Sequence, residues 1–297
     1  MNGILCVNKP QDFTSFDVVA KLRGILGMKR LGHGGTLDPM ATGVLPVFVG
    51  NATKACDIMP DNTKSYLAGF RLGCTSDTQD VWGEVKAASD RSVSRDELEA
   101  VLPYFTGNIM QLPPMYSAVQ VGGKRLYDLA RQGIEVEREA RQIEVSTLRL
   151  PEYDPDSREG KLEIVCGKGT YIRTIINDIG EKLGCGGIMT SLVRTSSCGF
   201  TLADCFTFDE IQQAKDEDRL ETLLLPTDKV FASLPKLVLG EAQARMYRNG
   251  VKLDIARVRG IRPDSDTYRV YAQDGTFFGT AVTDRENGLL RVGKNLG

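Results

Sequence analysis

Residues Gly32 to Lys54 read GHGGTLDPMATGVLPVFVGNATK. The first dozen residues of this stretch hold four glycines, at 32, 34, 35 and 43, with the chain's only histidine, His33, and an Asp-Pro pair, Asp38-Pro39. An apolar run from Val44 to Val49 follows directly. Proline biases the residue before it away from helical geometry, and glycine permits left-handed backbone and close approach of neighbouring chain. The stretch therefore predicts a stiff, irregular loop that presents Asp38 and then feeds a buried strand. An isolated Asp-Pro more often makes an ordinary turn, so what the rest of the chain supplies decides its meaning.

Outward from this loop, residues 3–8 read as a buried strand closed by Lys9-Pro10. Thr14 or Ser15 caps a helix with Val18, Val19, Leu22, Ile25 and Leu26 on one face, stopped by Gly27. After the strand at 44–49 comes a short helix ending near Pro60. Residues 64–72 read as a strand carrying Tyr66, and CTSDTQDVWGEV as a polar loop with the only tryptophan. Ser94 and Glu97 form a capping box ahead of a helix with Leu98, Val101, Leu102 and Phe105. PPMYSAVQV reads as a strand, GG as a turn and KRLYDLARQG as a helix ending at Gly133. Strands follow at 142–150 and 161–166. A helix whose face is Ile172, Ile175, Ile176, Ile179 and Leu183 ends at Gly184. Residues 189–200 alternate loosely, as an exposed-face strand would. Acidic helical segments continue to about 225. Residues 235–297 form a small separate unit with a helix at 241–249, three or four strands and a type I′ hairpin at Asp274-Gly275. The boundary falls near Pro226–Pro235.

The 297 residues suffice for a large domain plus a small one. With 41% hydrophobic and 26% charged residues, the composition is that of an ordinary soluble globular protein. The N-terminus carries no signal-peptide pattern, and no apolar run reaches membrane-spanning length. Seven scattered cysteines without a C-x-x-C pair point to reduced thiols in the cytoplasm rather than to zinc or disulfides. The net charge of −2 hides an uneven distribution. Between Lys9 and Lys54 six bases face three acids, whereas between Thr201 and Gly240 eight acids face four bases. The total argues mildly against a nucleic-acid binder, but a near-neutral total can hide a basic face. Phosphate-loop, dinucleotide-binding, nucleophile-elbow and zinc-protease motifs are all missing. What remains is one carboxylate on a glycine-rich loop, with aromatic and basic residues on other segments.

The Gly32–Lys54 stretch resembles the catalytic motif of the bacterial tRNA pseudouridine-55 synthase family. VNKPQDFTSFDVV resembles that family's N-terminal Lys-Pro motif, and KSYLAGFRLGCTSDTQDVWGEV its tyrosine segment. QLPPMYSAVQVGGKRLYDLARQGIEVEREAR resembles its insertion, about 105–145. GKGTYIRTIINDIGEKLGCGGIMTSLVRTSSCGF resembles its arginine motif and the strand that follows. Residues 235–297 are similar, more weakly, to the PUA-like RNA-binding domain of such enzymes.

The resemblance implies an α/β (α+β) catalytic domain over 1–230, built on a central mixed, largely antiparallel sheet, with the β-rich domain over 235–297. It implies that Asp38 is the catalytic aspartate, Arg173 the arginine paired with it, and Tyr66 the aromatic that stacks on the target base. His33, Tyr171 and Leu192 would line the pocket for the flipped uridine, and Lys9 with Pro10 would buttress its floor. The substrate would be uridine 55 in the T-loop of tRNA, handled by a monomer without cofactor or metal. Gly34 departs from the family's usual threonine, with the loss of a hydroxyl. The chemistry agrees with the residues: an isomerisation about a glycosidic bond needs one well-placed carboxylate and no redox partner. Two other readings are open at this level. One is a catalytically inactive RNA-binding or tRNA-chaperone protein. The other is a glycosidase or nucleoside hydrolase, which usually needs two carboxyls.

Overall fold

The computed structural model describes all residues, 1–297. In chain order the first elements are β1 (Gly3–Lys9), α1 (Ser15–Leu26), β2 (Leu31–His33), β3 (Thr42–Val49), β4 (Lys64–Leu72), β5 (Cys74–Ser76) and β6 (Val85–Ala87). Then come α2 (Arg95–Val101), β7 (Gly107–Gln111), β8 (Gln120–Val121), β9 (Lys124–Arg125), α3 (Leu126–Ala130), β10 (Arg141–Asp154) and β11 (Glu159–Cys166). The next are α4 (Ile172–Lys182), β12 (Gly187–Ser197), β13 (Phe200–Thr201) and α5 (Phe208–Asp216). The last are β14 (Lys236–Leu239), α6 (Glu241–Arg248), β15 (Leu253–Asp254), β16 (Thr267–Ala272), β17 (Phe277–Asp284) and β18 (Leu289–Asn295).

A nine-stranded sheet runs β1-β3-β12-β4-β11-β10-β7, with β2 added to β3 and β13 to β12. Every pairing in it is antiparallel except β3 with β12. One face carries the core that joins Tyr66, Ala68, Phe70 and Leu72 of β4 to the apolar stripe of α4. The packing is close enough that a Cβ on Gly180 of α4 would stand 2.2 Å from the Gly187 nitrogen, so only glycine fits at this crossing. A second core places α1 and α5 against β1 and β3. Helix α1 starts with a reciprocal cap: Asp17 N donates to Thr14 Oγ1 at 3.0 Å and Thr14 N donates to the Asp17 carboxylate at 2.9 Å. It ends on Gly27 at φ 63°. Both signals were legible in the sequence.

The tail forms its own five-stranded sheet, β14-β16-β17-β18-β15, with α6 packed on it around Tyr247, Leu237 and Val270. Phe277 and Leu296 of this unit pack with Phe231 and Phe48 of the larger one. Tyr271 also donates to the Asp228 carboxylate at 2.6 Å.

Several local expectations change. Residues 113–119 form no strand. Pro113 and Pro114 have no N–H to give a ladder, and the carbonyls of Pro113 and Tyr116 are taken by Arg138 and Arg173. The helix before Gly133 is only Leu126–Ala130, and the segment ahead of Pro60 is a 3-10 turn over Gly50–Ala55. The polar loop after β4 contains the β5–β6 hairpin. At the tail hairpin only Gly275 takes a left-handed φ, 88°. Asp274 instead accepts from Thr276 N at 2.9 Å, which is an Asx turn and not type I′. Strand β12 is not an exposed-face strand. It lies in the middle of the sheet between β3 and β4, and Arg194 on it is fully buried.

Strand β3 is flanked on one side by two different strands. β2 pairs with Val47–Val49, and β12 pairs only with Thr42 and Gly43. Between them the sheet is split, and the loop bearing Asp38 emerges from that split. Gly43 closes it: φ is 102° and an added Cβ would lie 2.3 Å from the Arg194 carbonyl oxygen. Gly43→Ala is expected to cost about 2–4 kcal/mol through backbone strain and a main-chain clash. Urea unfolding of wild type and variant checks this, and a loss below about 0.5 kcal/mol, an ordinary surface value, would contradict it.

Candidate active site

Asp38 belongs to the loop between β2 and β3, and its side chain is 36% exposed. The loop is tied down at both ends and from below. Gly34 N donates to the Pro46 carbonyl at 2.8 Å. Leu37 N donates to Ser15 Oγ at 2.8 Å, which fastens it to the start of α1. Ala41 N donates to the Asp38 carbonyl at 3.0 Å, and Asp12 N to the Pro39 carbonyl at 3.0 Å. Beneath it, the fully buried Lys9 ammonium donates to the carbonyls of Phe13, Pro10 and Pro39 at 2.6, 2.9 and 3.2 Å. Gly34 is itself tightly enclosed: a Cβ there would meet the Phe48 ring at 3.0 Å. A threonine at this position would need that ring to give way by a few tenths of an ångström. The glycine is therefore matched to its neighbours here, and the loop keeps its anchors without the hydroxyl.

Arg173 reaches the same place from the first turn of α4. It is buried, and its Nη2 stands 3.4 Å from an Asp38 carboxylate oxygen. Nη1 stands 3.6 Å from a carboxylate oxygen of Asp80, which is equally buried. These are ion-pair separations, longer than a charge-assisted hydrogen bond. The shortest bond of Arg173 goes from Nη2 to the Tyr116 carbonyl at 2.6 Å, in the segment between β7 and β8. Asp80 is held in turn by Thr78 Oγ1 at 2.7 Å and Trp82 N at 3.0 Å. The N-terminus of α4 is pinned by Gln111 of β7. Its amide accepts from Tyr171 N at 2.9 Å and donates to the Tyr171 carbonyl at 3.0 Å.

Tyr66 on β4 is almost fully buried on the α4 side of the sheet, with Leu192 of β12 in the same core. Burial pushes its phenol up to about 12, against the opposing charge of Arg194, so it remains neutral at working pH. Tyr171 is half-buried with its ring 5.9 Å from the Arg173 guanidinium carbon. His33, the last residue of β2, has its Nδ1 buried without a partner. Burial, reinforced by Arg194, pushes its pKa below the usual histidine value, so the ring is neutral near pH 7. Asp38, Arg173 and Tyr171 are thus in one place, with Lys9 under the Asp38 loop and Tyr66 and Leu192 in the core beside it. Three supporting residues escaped the sequence reading. Asp80 is one acid among several in a hydrophilic stretch, Gln111 carries no motif, and Arg194 alternates like an exposed strand residue.

Burial lowers the Lys9 ammonium to about 8, with Asp38 opposing the fall and Arg194 adding to it. Between that value and the ordinary 10.5 the unfolded chain holds a proton that the folded chain does not. This group therefore makes the fold more stable as pH rises through that window. The unfolding free energy of wild type relative to Lys9→Met is expected to move in favour of wild type from about pH 8 upward. A difference that stays flat or falls in parallel urea titrations would contradict the buried, depressed ammonium.

Known proteins match this chain over nearly its whole length. Residues 23–172 match the N-terminal domain of the TruB family of pseudouridylate synthases, and residues 173–232 match the tRNA pseudouridylate synthase B C-terminal domain. A tRNA pseudouridine synthase B of Syntrophomonas wolfei is 42% identical over 290 residues, covering 97% of this chain and 95% of its own. The one from Clostridium perfringens is 40% identical over 288 residues, covering 96% of each chain. In three dimensions the chain is similar to the crystal structure of a Cbf5–Nop10–Gar1 complex, with a TM-score of 0.77 and 25% identity over 99% of this chain and 85% of that one. The chain therefore shares its fold with that structure and belongs to the TruB family of pseudouridylate synthases.

Proposed function

We propose that this protein isomerises uridine 55 in the T-loop of tRNA to pseudouridine, with Asp38 as the reacting carboxylate. The observation that carries the reading is the pairing of a half-exposed Asp38 with a buried Arg173 on a loop anchored from three sides. A permanently charged guanidinium fixes the carboxylate's orientation without competing for its proton. The relatives' names, tRNA pseudouridine synthase B, supply the substrate class. The target uridine leaves the RNA stack to reach the loop, at a cost of a few kcal/mol. Stacking on Tyr66, whose almost fully buried ring the entering base has to uncover, offsets part of that, since base–aromatic stacking is worth ~1–3 kcal/mol. His33, Tyr171 and Leu192 line the rest of the pocket, and Lys9 with Pro10 supports its floor. The reaction is internally balanced. The C1′–N1 bond breaks, the uracil turns, C5 bonds to C1′, and the C5 proton is lost while N1 gains one. No electron acceptor or external group takes part.

Residues 235–297 act in this reading as a PUA-like RNA-binding domain that holds the tRNA away from the reacting base, and the enzyme works as a cytoplasmic monomer. An inactive RNA-binding or chaperone role is less well supported, because it gives no use for an arginine buried between two carboxylates. A hydrolase would release free uracil, whereas an isomerase keeps the base attached. The test is an unmodified tRNA transcript incubated with wild type, Asp38→Asn and Arg173→Ala, with RNA affinity measured on the same samples. Wild type is expected to convert the T-loop uridine without releasing uracil. Asp38→Asn is expected to bind within about threefold and to lose at least about 10⁴-fold in rate, as for a group that acts in the transition state. Conversion by Asp38→Asn at the wild-type rate would overturn the assignment.

A further inference from the structure

Arg194 is the largest fully buried side chain in the molecule. All of the ion pairs are made elsewhere. Its guanidinium donates only to main-chain carbonyls: Nε to Val44 at 2.7 Å, Nη1 to Thr36 at 3.3 Å and Nη2 to Gly35 at 3.3 Å. A buried charge without a counter-charge is costly, so a fold that retains one gains something from where it lies.

That place is the split in the sheet. β12 hydrogen-bonds to β3 only at Thr42 and Gly43, and β2 takes over at Val47. Between them no strand serves the Val44 carbonyl, and Arg194 takes it from the side. The other arm of the guanidinium holds Gly35 and Thr36, the two residues that lead into Leu37 and Asp38. The sheet register also sets Arg194 directly across from Tyr66 of β4. One planar group thus spans β3, the Asp38 loop and the strand position facing Tyr66. Lys9 and Lys64 are also buried here, and each donates only to carbonyls. Burial lowers the pKa of both lysines, with Arg194 adding to the effect. An ammonium replacing Arg194 would be pushed toward its neutral form in the same way, and as a compact point charge it would lack the planar fork that spans these separate carbonyls. A guanidinium stays charged and offers a rigid fork.

We propose that Arg194 is a positioning residue for the reaction, fixing the distance between the Asp38 loop and Tyr66 by bridging the split between β3 and β12. This rests on the synthase reading given above. The experiment is single-turnover pseudouridine formation at saturating enzyme on a T-arm transcript, with RNA affinity measured in parallel. Wild type, Arg194→Lys and Arg194→Gln are compared. Both variants are expected to lose about 100-fold in rate, the cost of a displacement near 1 Å at a reacting group, while RNA affinity stays within about threefold. Rates within about threefold of wild type in folded variants, or a loss confined to affinity, would overturn the proposal. A wild type that converts no uridine would remove the synthase reading itself and this role with it. Should both variants fail to fold, hydrogen exchange on wild type decides. The amides of Leu37 and Ala41 are expected to exchange only with global unfolding, and exchange through a much easier local opening would show that Arg194 does not fix the loop.

Discussion

Arg173 stands between two carboxylates of unlike exposure, and the rest of the site depends on that contact. Asp80 is buried and has its own hydrogen bonds to Thr78 and Trp82, so it can only hold. Asp38 is half-exposed on the loop, so it can meet a substrate. The arginine carries the rigidity of one to the other. It needs a fixed helix start to do so, which Gln111 provides through its two hydrogen bonds to the Tyr171 main chain. It also needs a closed side, provided where the Tyr116 carbonyl takes its Nη2. Residues from β7, the segment after it, the β5–β6 hairpin and α4 therefore converge on one guanidinium.

The loop side is built by a different device. Three buried cations, Lys9, Lys64 and Arg194, are satisfied by backbone carbonyls instead of acids. Carbonyls belong to the chain itself, so these bonds hold the path of the loop and leave its one carboxylate unclaimed except by Arg173. A salt bridge to Asp38 from below would have competed with that. The cost of burying charge this way falls on stability, and the large apolar cores on either face of the sheet offset it.

Much of this was legible in the chain. The glycine spacing and Asp38-Pro39 announced the irregular loop, the apolar run after it announced β3, and Thr14 with Gly27 bounded α1. The order of motifs placed Asp38, Tyr66 and Arg173 on three segments that do meet. What escaped has a physical cause. Asp80 and Gln111 matter through contacts across the sheet, which no local period encodes. Arg194 alternates on β12 like a solvated residue, and only the split beside β3 makes a buried place for it. The coil at 113–119 departs from the expected strand because its carbonyls serve Arg138 and Arg173, a tertiary demand that overrides strand propensity.

The most direct test of the central claim, that Asp80, Arg173 and Asp38 act as one unit, is a double-mutant cycle in single-turnover rate. Asp80→Asn, Arg173→Lys and the double variant are measured on the same T-arm transcript. If Asp80 acts only by holding Arg173, the double variant should be no slower than the worse of the two single variants. Rate losses that multiply in the double variant would mean that the two residues work independently, and the account of Arg173 as the link between the carboxylates would be wrong.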